Sequence, residues 1–238
     1  MGSQAGVSVT LSTVVNTAAA ATTTGSITPD AYDAVFVYSL VTSGAAFTDT
    51  ASCSGAGLTW TKVLGVVTGN DYGVLFVGYG TPTSGALTIT FSRTPTAGRY
   101  AIVKIPLAQE GTNPVATSNS GTGTATSGTV TLTKASATDQ QLFSVFMHKA
   151  AEAATPRANW TEITDVATTY GMESQYSWGY DSASATWTSN VVWVGIAVSL
   201  APIAQSADLE TDDAMPGYGI TSPDIMPASD FDVWALHD

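Results

Sequence analysis

The chain has 238 residues, of which 44% are apolar, so it is long enough to bury a sizeable core and suits one large domain or two small ones. Only 11% of its residues are charged, well below the ~25% of typical soluble domains. The seven Lys and Arg residues are scattered, which excludes the basic patch that a nucleic-acid-binding protein needs. Thr, Val, Tyr and Trp replace the usual helix formers, which favours β-structure.

The net charge of −12 is concentrated near the C-terminus. Residues 1–203 carry seven basic and eleven acidic groups, a net −4, whereas residues 204–238 hold eight acidic residues and no Lys or Arg. Cys53 is alone, so no intrachain disulfide and no cysteine metal site are expected. The longest apolar run, residues 191–202, is too short to cross a bilayer, and a soluble protein is predicted.

Period-two alternation of apolar and hydroxyl residues predicts strands with one wet face at residues 7–11, 87–91 and 129–133. Runs that are apolar on both faces predict central strands at residues 34–40, 74–77, 101–105, 142–147 and 191–198. Gly, Pro, Ser and Thr clusters at residues 81–85, 94–98 and 118–128 are interpreted as turns and loops. A turn or two of helix is expected at most at residues 18–21 and 149–154.

An internal repeat organises the first 203 residues. Residues 57–108 contain a Leu-Thr-Trp strand around Trp60, then Tyr72-Gly73, Gly78-Tyr79, an alternating strand and an apolar closing strand. Residues 158–202 repeat this order around Trp160, with Tyr170-Gly171 and Gly179-Tyr180 aligned to the two dipeptides. An apolar strand precedes each copy, so two halves of five or six strands are expected to share one core.

The predicted fold class is therefore all-β: a jelly-roll-like β-sandwich with pseudo-duplicated halves, plus an extended C-terminal arm. The predicted organisation is one sandwich domain at residues 1–203 and an acidic arm at residues 204–238. Two separate domains of about 100 residues are the alternative, with residues 118–128 as the one flexible linker.

Gly57-Leu58-Thr59-Trp60, a Tyr-rich strand, a Thr-alternating strand and the closing segment Trp193-Val194-Gly195-Ile196-Ala197-Val198-Ser199-Leu200 resemble the β-sandwich modules of bacteriophage virion proteins and bacterial extracellular proteins. The resemblance covers residues 7–202. It implies a sandwich fold and display on a particle or cell surface, and it implies no functional residue.

Catalytic chemistry finds little support in the sequence. A serine triad would need His148 or the near-terminal His237, and His148 is interpreted as a strand-end imidazole that is solvated or bonded to backbone. A glycosidase pair would have to come from Glu162, Glu173 and Asp181, and Glu173 is interpreted as an exposed carboxylate on a wet face. No enzyme activity, no cofactor and no metal are expected. The acidic run Asp208, Glu210, Asp212 and Asp213 lacks the glycine and terminal Glu of a calcium loop.

Six Trp residues raise the possibility of a carbohydrate platform. Trp60, Trp160, Trp187 and Trp193 lie in repeat or strand positions and are assigned to packing. Trp178 and Tyr180, around Gly179, are the aromatic residues expected to face a ligand or a partner.

The acidic tail is unusually rich in large apolar residues. Aromatic anchors in an extended segment are what a docking peptide needs. The predicted docking residues are Tyr218, Ile220, Ile225, Met226, Phe231, Val233, Trp234 and Leu236.

These features predict a virion structural protein of a bacteriophage, located on the particle surface as a capsid decoration or cement protein. Its expected partners are other virion subunits, capsid or neighbouring copies, with homo-oligomers such as a trimer and with no nucleic acid and no membrane. The alternative is a tail-fibre or surface adhesin that binds glycans through loop aromatics. A sandwich-type hydrolase using Glu173 is the third hypothesis.

Overall fold

The computed structural model describes residues 8–10, 20–31, 33–106, 112–132, 141–167 and 170–201, all within one compact unit, Met1–Ala204. These residues form β-strands and no helix, which confirms the all-β prediction. None of them forms a helix able to cross a membrane. The strands are β1 Ser8–Thr10, β2 Ala21–Ile27, β3 Asp33–Thr42, β4 Ser52–Gly55, β5 Thr59–Thr68, β6 Asp71–Tyr79, β7 Gly85–Thr90, β8 Ala97–Pro106, β9 Val115–Thr131, β10 Gln141–His148, β11 Thr155–Pro156, β12 Thr161–Ala167, β13 Gly171–Trp178 and β14 Ser182–Leu200.

The first half, β1 to β8, is a two-layer sandwich. Its first inner sheet has the antiparallel order β1-β8-β3-β6-β5, and its first cover sheet has the order β2-β7-β4. The succession β1-β8-β3-β6 over β2-β7-β4 is the strand order of a jelly roll, with β5 added beside β6. Apolar residues of the two sheets, such as Val74, Phe76, Leu87 and Ile89, fill the space between them.

The second half, β9 to β14, repeats this topology with longer strands. Residues 191–200 of β14 pair with residues 115–125 of β9 and with β10, and the order continues through β13 to β12; we call this the second inner sheet. Residues 182–186 of β14 pair with residues 127–131 of β9 and with β11. This second cover sheet lies over the second inner sheet, because Ala183, Ala185 and Trp187 pack against Phe146 and Trp193.

The expectation of a loop at residues 118–128 was wrong, since this segment is the middle of β9. Its glycines surround the Trp193 ring: a Cβ added at Gly121, Gly123 or Gly128 would lie 3.0, 3.1 or 2.7 Å from it. The segment has few apolar residues because one face of the strand is exposed and, on the other face, the Trp193 ring fills the space where side chains would lie. Strand pairing with β14 therefore overrides the local turn signal.

The two halves agree in register as well as in topology. In each, one edge strand bulges at the equivalent place, at Val63 between Lys62 and Leu64 in β5 and at Ile163 between Glu162 and Thr164 in β12. A bulge is a specific local feature, so its recurrence supports duplication.

The predicted repeat alignment is out of register along β6 and β13. Val35 pairs with Gly78, and its counterpart Leu142 pairs with Ser177, so Tyr79 is equivalent to Trp178 and Tyr72 to Gly171. The dipeptides aligned in the sequence are one to two residues away from their true counterparts. Matching Tyr-Gly letters misled the alignment, because hydrogen-bond pairing sets equivalence in a sheet.

Face-to-face packing of the two inner sheets forms a central core, so the domain has four layers and three apolar clusters. Across the central core β3 contacts β10, β6 contacts β14 and β5 contacts β9. In the duplication, β10 is equivalent to β3, the inner part of β14 to β8 and the inner part of β9 to β1. The strand order of one inner sheet therefore runs in the reverse direction over that of the other. The halves are thus related by a pseudo-twofold axis near β3 and β10, like the subunits of an isologous dimer.

The five central strands predicted from apolar runs are confirmed. Their segments in β3, β6, β8, β10 and β14 are buried, since each inner sheet is covered on both faces. The helical turn allowed at residues 149–154 is wrong: Lys149 instead forms an ion pair with Asp71, and the Glu152 carboxylate accepts the Ser189 N–H at 2.7 Å. At residues 18–21, Ala21 already begins β2, and residues 18–19 lie outside the described residues.

Candidate functional site

Trp178 is the most exposed large apolar side chain of the part of the chain that the structure describes. It ends β13 and is 40% exposed, with Val67 at 39% the other exposed large hydrophobic residue. Side chains alternate along a strand, so Trp178 lies on the same face of β13 as Met172, which belongs to the central core. Its ring is therefore available at the rim of the central core.

Tyr180 occupies a different surface from Trp178. Its ring centroid lies 6.4 Å from that of Trp160 in the core of the second half, and the Arg157 guanidinium lies 5.8 Å from the Tyr180 ring. Arg157 is itself held by a 2.7 Å hydrogen bond from its Nη1 to Ser182 Oγ. Trp178 and Tyr180 thus do not form one stacking platform, and Tyr180 is engaged in packing.

Three of the four Trp residues assigned to packing are buried: Trp160, Trp187 and Trp193. Trp60 is half-buried against the core of the first half and donates its indole N–H to Gly55 O at 2.9 Å. Packing therefore accounts for these four residues.

Glu173 overturns the expectation of an exposed carboxylate. It is fully buried in β13, and neither carboxyl oxygen has a hydrogen-bond partner. It faces the interior of the second half because Met172 and Ser174 point to the opposite side of the strand. The sequence pattern implied a wet face, but the second cover sheet encloses it.

Two further carboxylates lie on β12 beside Glu173. Asp165 pairs directly with Glu173, and Glu162 pairs with Gln175 two residues further along β13. Burial raises the pKa of Glu173 to about 8, and the charges of Glu162 and Asp165 add to that shift. Burial also raises the pKa of Asp165. Glu173 is therefore a neutral carboxylic acid near pH 7.

Other polar atoms share the interior with Glu173. In the described chain, buried atoms without a hydrogen-bond partner include Ser144 Oγ, Gln175 Oε1, Trp160 Nε1 and both ring nitrogens of His148. The Gln175 Nε2 group does bond, donating to Ser184 O of the second cover sheet at 3.1 Å. Buried polar groups without hydrogen-bond partners destabilise the folded state. A cluster of such groups therefore indicates a region that serves function or conformational change at a cost in stability.

His148 also differs from its predicted state. Its imidazole is fully buried and stacked on the Trp187 ring at 4.8 Å with 17° between the planes, and neither ring nitrogen bonds to another protein group. Gly171 makes room for it, since a Cβ there would lie 2.1 Å from the imidazole. Burial lowers the pKa of His148, and the Glu152 charge only partly offsets this, so the ring is neutral at pH 7.

The candidate carboxylates for sugar hydrolysis, Glu162, Glu173 and Asp181, do not form an accessible pair, although Glu162 lies near Glu173. Asp181 is exposed in the connection between β13 and β14, while the Glu173 carboxyl is enclosed, so a substrate cannot reach it in this conformation. No three His, Cys, Asp or Glu side chains in the described segments are placed to hold a metal ion.

A small, partly open pocket of about 10 Å³ lies in the first half, lined by Thr22, Ser39, Phe91, Pro95 and Tyr100 among others. A space of this size holds about one water molecule. It is too small for an organic ligand.

The predicted docking residues of the tail, Tyr218, Ile220, Ile225, Met226, Phe231, Val233, Trp234 and Leu236, lie outside the described residues. The sequence reading did not single out Gln175, Ser144 and Asp165. A correct alignment of the repeats could have identified Gln175 and Ser144, because these polar residues occupy the positions of Phe76 and Val37 in the first half.

Comparison with known proteins gives no relative. No protein-family model, no curated protein and no solved structure matches the chain.

Proposed function

We propose that this chain is a structural protein of a bacteriophage particle, a decoration or cement protein that sits on the capsid surface and docks through terminal arms. The observation that carries the proposal is that Glu173 and His148, the side chains with catalytic potential, are enclosed in the core of the second half. The described surface, by contrast, is rich in hydroxyl groups and has few apolar residues. Such a body is suited to display in solvent on a particle surface.

The charges of the described surface support a partner other than nucleic acid. Three lysines there are neutralised by ion pairs, and Arg99 is buried, where desolvation lowers its pKa. The ion pairs are Lys62–Asp49 at 2.8 Å, Lys104–Asp33 at 3.5 Å and Lys149–Asp71 at 3.1 Å. Arg93 and Arg157 are left exposed, which is far short of a phosphate-binding patch.

The described body offers few anchors for a protein partner. In it, Val67 and Trp178 are the exposed large hydrophobic residues, whereas residues 204–238 supply ten large apolar side chains among eight acids. Interface energy concentrates in a few buried aromatic anchors, so we assign docking to the arm, and to Phe231 and Trp234 first. Copies joined in a homo-oligomer, for which a trimer is one arrangement, would multiply this attachment.

Particles assembled with a chain truncated after residue 203 test the proposal. We expect the truncated protein to fold, with an unchanged far-UV spectrum, and to be lost from purified particles. The double substitution Phe231→Ala and Trp234→Ala should reproduce the loss, and Trp178→Ala is the matched control with normal occupancy. Normal occupancy of the truncated chain would refute docking through the arm, and absence of the wild-type protein from particles would refute the virion role.

A second candidate is a glycan-binding adhesin, favoured by the exposed Trp178 ring. Aromatic faces stack on sugar rings, but a single ring gives weak binding unless several copies combine. A glycan array probed with wild type and Trp178→Ala separates the two functions. A signal that Trp178→Ala abolishes supports the adhesin, and no signal from the wild type excludes it on that array.

A further inference from the structure

The two halves share a topology but have unequal interiors. Four positions that face the cover sheet are apolar in the first half and polar in the second. The matched pairs are Val37 with Ser144, Val41 with His148, Val74 with Glu173 and Phe76 with Gln175. At these four positions the first half buries apolar side chains, which stabilise its core, whereas the second half buries polar side chains.

Two matched positions of the second cover sheet contribute less apolar area than those of the first. Strand β14 buries Ala183 and Ala185 against the inner sheet, where β7 of the first half buries Leu87 and Ile89. Hydrophobic stabilisation scales with the apolar area removed from water, so these two positions hold the cover more weakly than Leu87 and Ile89 do, while Trp187, Val130 and Leu132 still anchor it. Polar anchors between the two sheets include the 2.6 Å bond from Asn119 Nδ2 to Thr131 O, the 3.1 Å bond from Gln175 Nε2 to Ser184 O and the 2.8 Å bond from Trp187 Nε1 to Ala125 O.

We propose that the second cover sheet unfolds locally away from the second inner sheet, breaking its β9–β14 and β11–β14 hydrogen bonds, in a pH-dependent equilibrium governed by ionisation of Glu173, while the first half stays closed. The opened state would give water to the Glu173 carboxyl and expose the rings of Trp187 and Trp193. This is a device within the fold, and it does not depend on the proposed function.

The charged and titratable groups around Glu173 set the sign of the effect. From β12, Glu162 and Asp165 oppose a negative charge on Glu173, and no described basic side chain forms an ion pair with it. From β10 comes the neutral His148, with Glu152 near it, and Arg157 is engaged with Tyr180 and Ser182. The buried cover residues, Val130, Leu132, Ala183, Ala185 and Trp187, carry no charge.

Opening releases the carboxyl from burial, so its pKa falls from about 8 in the closed state towards the ordinary value of 4.5. The closed state is fully favoured below that ordinary value, and the advantage is lost as pH rises through the closed-state pKa. The opening constant should rise about tenfold per pH unit up to pH 8 and then level off. His148 acts in the opposite sense, because its lowered pKa favours opening only as pH falls below about 6.5.

Hydrogen exchange followed by mass spectrometry between pH 6.5 and pH 8.5 isolates Glu173 from His148. After correction for the intrinsic exchange rates, protection of residues 182–190 and 127–131 should fall roughly 8- to 15-fold between pH 6.5 and pH 8, the lower figure if His148 in the open state is half protonated at pH 6.5. Protection of residues 85–91, the matched strand of the first half, should not change. Quenching of Trp fluorescence by acrylamide should increase over the same range.

Glu173→Gln keeps the shape of the side chain and removes its titration, so it should abolish the pH dependence and keep the second cover sheet closed. Glu173→Val, which installs the residue of the first half, should do the same if the amide perturbs folding. Asp181→Asn, at an exposed carboxylate, is the matched control and should retain the wild-type slope. Constant protection of the wild-type second cover sheet, or an equal slope in Glu173→Gln or Glu173→Val, would overturn the proposal.

Discussion

Replacing Gly128 by Ala should destabilise the protein by about 1–3 kcal/mol, the usual cost of overpacking a core. The added Cβ would lie 2.7 Å from Cε3 and 2.8 Å from Cζ3 of Trp193. Ordinary contacts between such carbon atoms are about 3.5–4.0 Å, so the ring or the strand must move by close to 1 Å. The ring has little freedom to move, because Phe146 and Trp187 pack at centroid distances of 6.3 and 6.2 Å.

Chemical unfolding followed by circular dichroism measures this loss. For a domain of this size it corresponds to a fall in Tm of about 2–12 °C. Gly25→Ala is the matched control in β2, since a Cβ there meets no atom within 4 Å and Gly25 does not have a positive φ. It should leave stability unchanged or raise it by about 0.4–1 kcal/mol.

A double variant tests the assigned cause. Trp193→Leu alone creates a cavity, but in that background Gly128→Ala should cost much less than in the wild type, because the clashing ring is gone. Equal losses for Gly128→Ala and Gly25→Ala, or additive losses with Trp193→Leu, would show that the ring does not occupy the space above Gly128.

Three further predictions concern charged groups. Between pH 4.5 and pH 7, the unfolding free energy of Glu173→Gln should rise by about 3 kcal/mol relative to that of the wild type. The reason is that the folded-state pKa of Glu173, raised to about 8, stabilises the wild type at low pH, and this stabilisation is lost as pH rises. An equal pH dependence of the two unfolding free energies would contradict this. Although burial opposes it, the pKa of Asp49 is lowered by hydrogen bonds from Lys62 and, at 2.6 Å, from Tyr72, so the wild type should lose its advantage over Asp49→Asn below about pH 4 in acid titrations of stability. Lys149→Met leaves the buried Asp71 carboxylate unpaired and should cost about 1–3 kcal/mol in urea unfolding, which Asp71→Asn in the same chain should largely restore.

The all-β class and the central strands could be predicted from the sequence because burial on both faces produces long apolar runs such as those in β3 and β10. The duplication could also be predicted, since a Trp, Trp60 or Trp160, lies within one residue of the start of each edge strand. The register of the duplication could not be predicted, because the dipeptides Tyr72-Gly73 and Tyr170-Gly171 are identical and suggest the wrong alignment. In the structure Tyr72 pairs with Val41 and Gly171 pairs with the equivalent residue His148, so Tyr72 and Gly171 are counterparts.

The burial of Glu173 and of the polar side chains around it, Ser144, His148 and Gln175, could not be predicted from the local sequence pattern. Glu173 alternates with Met172 as an exposed carboxylate would, and only the second cover sheet, formed by residues distant in sequence, encloses it. The same distance explains the misread glycine segment. The Trp193 ring that fills its side-chain positions lies about 70 residues further along the chain.

The pseudo-twofold arrangement of the inner sheets also bears on how the protein behaves on dilution. Two separate chains built like these halves would meet through the same central faces, and their association would weaken as concentration falls. Joining the halves in one chain makes the contact intramolecular, so it persists at any concentration. The central faces are then used up, and the bulged strands β5 and β12 discourage edge-to-edge pairing. Any higher assembly must be built through other surfaces.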